Sequence, residues 1–114
     1  AFCPRPVSLV NDAGPIFADA YLSPCLQKRW RQLWNFDVAL PSGCTGCIGQ
    51  DGGGFFNYER FLARTYPNQR LGLISATQDA TISYFFGFGQ NNCAGLDGNP
   101  GSLPGATFQT GLSV

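Results

Sequence analysis

The 114-residue chain is rich in apolar residues and poor in charge: 44% of its residues are hydrophobic and 12% are charged, and seven basic side chains balance seven acidic ones. This composition excludes intrinsic disorder, and a net charge of zero provides no field that would attract nucleic acid or an anionic membrane. No apolar run is long enough to span a bilayer. So few charges also predict exposed apolar patches, which usually mark contacts with further polypeptide.

The first part of the chain predicts a strand followed by a helix. The Val- and Leu-containing residues 5–10 are typical of a strand, and the Asn-Asp-Ala-Gly-Pro run over residues 11–15 is typical of a loop. Ser23 is a favoured helix N-cap, and Pro24 is a favoured first helical residue. Apolar residues then recur at helical spacing, namely Leu26, Trp30, Leu33 and Trp34. The basic residues between them favour a solvated face but leave open a role in holding an anionic polymer, namely Lys28, Arg29 and Arg31.

The second part predicts a long loop, a helix, a strand and a further helix. Residues 41–54 are typical of a loop, and a helix is expected from Asn57 to the Pro67 region. Its inward-facing residues are predicted to be Tyr58, Phe61, Leu62 and Tyr66. The apolar run 71–75 predicts a buried, parallel strand. A helix over residues 80–86 should end at Gly87 or Gly89, and no periodicity is visible after Gln90.

The order of these elements predicts an α/β fold, because strands alternate with helices. Two strands do not form a stable open sheet by themselves. We therefore expect residues 1–114 to be a single segment of a larger domain, whose remaining strands come from other sequence. The partner expected for this chain is accordingly the remainder of the polypeptide or another chain.

The chain contains five cysteines: Cys3, Cys25, Cys44, Cys47 and Cys93. Such a content in Gly- and Asn-rich loops predicts disulfides, and therefore a secreted, extracellular or periplasmic protein. Four cysteines permit three pairings, and the odd cysteine requires a partner elsewhere. No cofactor is expected.

The Cys44-x-x-Cys47 pair leaves a functional alternative open. Zinc would require two more ligands, and the chain has neither histidine nor a second such pair, so no metal is expected. A redox motif belongs at a strand-to-helix junction, whereas this pair lies in a Gly-rich loop. These patterns favour a structural disulfide.

Asp79 is the most informative carboxylate, because it follows a predicted strand and precedes a predicted helix. Ligands of open α/β sheets bind just beyond the carboxyl ends of the strands. Asp is equally a favoured helix N-cap, so position alone leaves both roles open. The absence of histidine from the sequence means that no Ser–His–Asp triad can be assembled from these residues.

Two segments resemble the pectin acetylesterases and the related Notum carboxylesterases. Residues 11–17 (NDAGPIF) resemble the family's Ser-Asp-Ala-Gly-Phe-Phe stretch after the nucleophile region. Residues 73–82 (LISATQDATI) resemble the strand and loop that carry its catalytic aspartate. Residues 21–30 and 85–93 are similar to what is expected in bacterial members, so the resemblance extends over about residues 5–95.

This resemblance implies a partial α/β-hydrolase-like sheet with flanking helices and long disulfide-linked loops. It implies that Asp79 is the triad acid and that Asp12 lines or braces the same pocket. The family's serine lies before the first of these segments and its histidine after the second, which places both outside this chain. The implied substrate is an acetylated polysaccharide or a similar ester. Two other hypotheses are a non-catalytic, self-assembling extracellular subunit and a small disulfide-bonded binding module.

Overall fold

The computed structural model describes residues 7–96, 98–99 and 101–114. Two strands form one sheet, β1 (Ser8–Asp12) and β2 (Arg70–Ile74). The helices are α1 (Pro24–Trp34), α2 (Asn57–Thr65), α3 (Ala80–Gly87), the four-residue α4 (Gln90–Cys93) and α5 (Gly105–Leu112), with a 3-10 turn at Phe36–Val38. Within these ranges no helix combines the length and the apolar character needed to cross a bilayer. The predicted helices over α1, α2 and α3 are confirmed, whereas α5 was not predicted.

The expectation of an α/β fold with a partial α/β-hydrolase-like sheet is wrong. In the described part of the chain, the single sheet has two parallel strands, with Ser8 opposite Arg70 and Asp12 opposite Ile74. Every residue of β2 is exposed, including the apolar run predicted to be buried. Val10 and Ile74 remain 61% and 62% exposed. The sheet therefore does not form the core, because no layer of described residues covers it fully.

The core lies instead among helices and the loop that follows β1. Phe17 in this loop meets Phe86 of α3 and Phe108 of α5, with ring centroids 5.1 Å and 4.9 Å away in edge-to-face geometry. Leu22 and Leu26 complete this buried cluster. Helix α5 lies closest to the Phe17 ring at Gly111, where an added Cβ would be 2.7 Å from the ring. Burial of aromatic surface thus holds α5 in place.

Helix α1 turns one of its predicted solvent-facing residues inward. Arg31 is only 5% exposed, and its Nη1 donates to the Gly53 carbonyl at 3.2 Å. Its Nε lies 3.0 Å from Asp37 Oδ1, an ion pair whose N–H is not aligned for a hydrogen bond. The predicted cluster of three solvated cations is therefore wrong at Arg31, while Lys28 and Arg29 are exposed.

The predicted apolar face of α1 is likewise only partly buried. Leu26 lies in the core and Trp30 packs against it, but Leu33 and Trp34 are exposed. Helix α2 has no buried residue, although Tyr58, Phe61, Leu62 and Tyr66 were predicted to face inward. Both differences have one cause: the described residues provide too little surface to cover these faces.

Two disulfides are formed among the cysteines that the structure describes, which confirms the prediction of disulfides. Cys25 pairs with Cys93 across a sequence separation of 68, and Cys44 pairs with Cys47 across a separation of 3. Cys3 lies outside the described residues. Loop-closure entropy gives about 4 kcal/mol for the long loop and about 2 kcal/mol for the short one. The Cys25–Cys93 bond is therefore the main covalent contribution to stability, and it ties the start of α1 to α4.

Replacement of Phe108 by alanine tests whether α5 is part of the core. Phe108 is 0% exposed, so Phe108→Ala should lower the free energy of unfolding by about 3–5 kcal/mol. Urea denaturation followed by circular dichroism measures this loss. The exposed Val38 offers a matched control, and Val38→Ala should change stability by less than about 0.5 kcal/mol. Equal effects of the two substitutions would contradict the docking of α5.

Candidate functional site

The carboxyl ends of the two strands lie side by side, because the strands are parallel and in register. Asp12 is the last residue of β1 and stands opposite Ile74, the last residue of β2. The Ala13 amide donates to the Ile74 carbonyl at 2.8 Å and extends this pairing into the loop. Asn11 Nδ2 donates to the Gly14 carbonyl and closes the turn. The loop after β1 and the loop after β2 therefore start from the same edge.

Asp79 is the N-cap of α3, five positions after the end of β2. It has extended backbone angles, and its Oδ1 accepts a hydrogen bond of 2.8 Å from the Ile82 amide. The side chain is half-buried. This is the capping role that Asp favours. The cap fixes the orientation of the carboxylate, and its role as a triad acid stays a prediction.

Asp12 has an exposed side chain at the end of β1. It follows Asn11, whose side chain is engaged in the turn, and precedes Ala13, which has the positive φ of 55°. Left-handed backbone is unusual for alanine, so the chain direction changes sharply directly after Asp12. The predicted contribution of Asp12 to a pocket with Asp79 also stays a prediction.

A groove between the sheet and α2 was not predicted. It has a volume of about 320 Å³ and is lined mainly by apolar side chains: Leu9, Ile16, Leu62, Leu71 and Leu73. Tyr58, Glu59 and Asn11 are its polar members. Partial burial raises the pKa of Glu59 above its usual value. Residues 58, 59 and 62 are close to one another on the surface of a helix, and this spacing could have predicted that Glu59 lies beside Tyr58 and Leu62 in the groove.

A buried polar network fixes the glycine-rich loop that precedes α2. Gln27 Nε2 donates to Asp19 Oδ1 at 2.9 Å, and the Gly54 amide donates to the same oxygen at 2.9 Å. Gln27 Oε1 accepts from the Phe55 amide at 3.0 Å. A Cβ on Gly53 would lie 2.7 Å from the Asp19 carboxylate, so only glycine fits there. These groups use their hydrogen-bonding capacity within the fold, and we assign them a structural role.

No cluster of three or more potential metal ligands (His, Cys, Asp or Glu) occurs within the described ranges. The Cys44 and Cys47 sulfurs are bonded to each other. A thiolate must be free to ligate zinc, so the disulfide form of this pair is not a zinc site.

Comparison of the chain with protein-family models, with curated proteins and with solved structures finds no significant match. The resemblance to pectin acetylesterases therefore depends on the residues quoted for it, and it enters below as part of a proposal.

Because the pKa of Glu59 is raised, replacement of Glu59 by the neutral glutamine should increase the stability of the protein by an amount that depends on pH. The fold disfavours the charged form of the Glu59 carboxylate, and this lowers the stability of the folded protein. The loss of stability is absent at low pH, where the group is protonated, and it develops as the pH rises through the Glu59 pKa. Glu59→Gln should therefore raise the melting temperature at pH 7, and the gain should disappear below about pH 4. Differential scanning calorimetry at both pH values measures it. A gain of equal size at the two values would show that burial of charge is not the cause.

Proposed function

We propose that this chain contributes the acid, Asp79, to a secreted serine esterase whose nucleophilic serine and histidine come from sequence outside these 114 residues. The proposal combines the resemblance of residues 73–82 to the acid-bearing segment of pectin acetylesterases with the position of Asp79 in the fold. The observation that carries it is the capped carboxylate of Asp79 beyond the end of a parallel strand.

The geometry of Asp79 suits an acid that orients an imidazole. The Ile82 amide holds Oδ1, whereas no described residue donates a hydrogen bond to Oδ2. One oxygen would thus fix the carboxylate while the other accepts the Nδ1–H of a histidine. In such a triad the histidine takes the proton of the serine hydroxyl, and the carboxylate maintains the required tautomer and stabilises the imidazolium.

Secretion and the substrate class are parts of the same proposal. The Cys25–Cys93 and Cys44–Cys47 disulfides are expected of a protein in an oxidising compartment. The resemblance points to an acetyl ester on a polysaccharide. The serine would attack the ester carbonyl, release the sugar hydroxyl and form an acetyl-enzyme that water then hydrolyses.

A second candidate function is a non-catalytic subunit of an extracellular assembly. Exposed apolar side chains on both faces of the two-stranded sheet favour it, among them Leu9, Val10, Leu73 and Ile74. This alternative predicts large oligomers in sedimentation velocity and no labelling of the natural protein by a serine-directed fluorophosphonate. The esterase proposal predicts labelling.

Substitution of Asp79 separates catalysis from helix capping. Asparagine is as good an N-cap as aspartate, so Asp79→Asn should leave the stability almost unchanged. It should nevertheless lower kcat for an acetyl ester about 10⁴-fold in the natural protein, because the histidine loses its orienting charge. Asp79→Ala should lose activity and also about 1 kcal/mol of stability.

Asp51→Asn is the matched control. The Asp51 carboxylate also accepts a backbone hydrogen bond, from Gly53, but it lies in the glycine-rich loop before α2, which does not follow a strand. Hydrolysis of p-nitrophenyl acetate should continue at the original rate in this variant. Full activity of Asp79→Asn would limit Asp79 to capping and overturn the proposed role.

A further inference from the structure

The Cys44–Cys47 disulfide differs in its surroundings from the Cys25–Cys93 disulfide. It closes a ring across a sequence separation of only 3, so it constrains the unfolded chain far less than a bond across 68 residues. Its two cysteines are also unequally accessible. Cys47 is 1% exposed, whereas Cys44 is half-buried. An external thiol can therefore approach this bond from the Cys44 side.

The loop that carries the disulfide is attached to the beginning of α2. The Asn57 side chain donates to the Gly46 carbonyl at 3.0 Å, and Cys44 Sγ lies 3.8 Å from the Asn57 carbonyl oxygen. Gly46 has a φ of 81°, and its carbonyl packs closely against Gly54. These contacts hold the Cys44 sulfur at one end of the helix.

A positively charged groove of about 230 Å³ borders this loop. Gly43 and Thr45, the neighbours of Cys44, form one wall. Asn57, Arg60 and Arg64 of α2 line the opposite side, together with Phe61. Arg60 is held over the Phe56 ring, with its guanidinium carbon 4.9 Å from the centroid. No carboxylate is among the groove's lining residues, and Glu59 faces the other groove, beside the sheet.

We propose that the Cys44–Cys47 disulfide is a thiol–disulfide exchange site for a small thiol that carries carboxylates. The two guanidinium groups would attract such a thiol and favour the thiolate form of the attacking sulfur. Cys44 is the less buried of the two cysteines, and its sulfur is the electrophile. This inference is independent of the esterase proposal, because it involves neither Asp79 nor the strand ends.

The exchange proceeds in two balanced steps. The external thiolate attacks Cys44 Sγ, the bond between the two cysteines breaks, and Cys47 leaves as a thiolate that takes up a proton. A second external thiolate then attacks the external sulfur of the mixed disulfide and releases Cys44. Two external thiols supply the two electrons and are oxidised to one disulfide, while the protein gains two thiols.

The Cys25–Cys93 disulfide serves as the internal comparison. Cys93 packs against the hydrophobic core, and Cys25 Sγ lies near the Ser23 hydroxyl and the Gly89 carbonyl. Cys25 and Cys93 are each half-buried, as Cys44 is, so the difference lies in charge: the groove beside Cys25 contains one cation, Arg29, whereas the groove beside Cys44 contains Arg60 and Arg64. This bond should resist the same reductant for much longer.

Differential alkylation of the natural protein tests the proposal. The protein is treated with glutathione, the freed thiols are alkylated, and tryptic peptides are analysed by mass spectrometry. Cleavage after Arg31 and Arg60 yields one peptide with both Cys44 and Cys47, separate from the peptides that contain Cys25 and Cys93. Reduction of Cys44–Cys47 should be at least about tenfold faster than that of Cys25–Cys93. Equal or slower reduction would overturn the proposal.

The arginines are tested by comparing glutathione, which is anionic, with cysteamine, which is cationic. The ratio of the two reduction rates should fall at least about threefold in the Arg60→Gln/Arg64→Gln variant, because intrinsic differences between the thiols cancel in this comparison. Arg60→Lys/Arg64→Lys should retain the ratio. Lys28→Gln/Arg29→Gln removes the same charge from exposed positions on α1 and should also retain it. A ratio that does not change in the Gln variant would overturn the proposed preference for an anionic thiol.

Discussion

The buried amide of Gln27 joins α1 to the loop directly before it and to the glycine-rich loop 28 positions later, and much of the structure depends on this junction. Its nitrogen bonds to Asp19 and to the Leu22 carbonyl, and its oxygen accepts from the Phe55 amide. The side chain is fully buried, so loss of any partner would leave a polar group unsatisfied away from water. Such a loss costs about 1–3 kcal/mol. The amide thereby fixes the loop before α2 against α1, and it determines where the groove-lining face of α2 begins.

The sheet is not covered by a packed layer in this arrangement. Its apolar residues are exposed on both faces, while the aromatic core forms between Phe17 and the helices. A two-stranded sheet has marginal stability by itself. Here the backbone pairing of β1 with β2 is extended by the Ala13 amide, which bonds to Ile74. The strand ends are consequently ordered without a buried sheet, and Asp12 and Ile74 lie opposite each other at the same edge.

Local signals were sufficient to predict the elements that begin or end at strong capping residues. Pro24 starts α1, and Asp79 caps α3 as its position between a strand and a helix suggested. Helix α5 was not predicted, because it contains Gly105 and Gly111 and glycine is a poor helix former. The packing of Phe108 against Phe17 stabilises this helix instead. The burial of Arg31 depends on a carbonyl 22 positions away, at Gly53. Helical spacing cannot predict a partner so distant in sequence.

The candidate site was predictable to a similar extent. The position of Asp79 followed from the order of elements, but the chemistry of a triad requires a histidine that this sequence lacks. The acidic member of the groove, Glu59, was not predicted, because the helical spacing of apolar residues does not indicate which charged residue borders a groove. The pairing of Cys25 with Cys93 was one of several possibilities, since it depends on the distance between α1 and α4 in the folded chain.

The Cys25–Cys93 bond also determines how the protein would respond to a protease. The loop over residues 41–52, most of whose residues are exposed, lies between these two cysteines, as do α2 and the strand β2. A single cut in that loop would separate the backbone into two pieces, yet the disulfide would keep them covalently joined. The Gln27 and Arg31 contacts would hold the cut ends near α1. A nicked molecule would therefore migrate as one species until a reductant releases its halves.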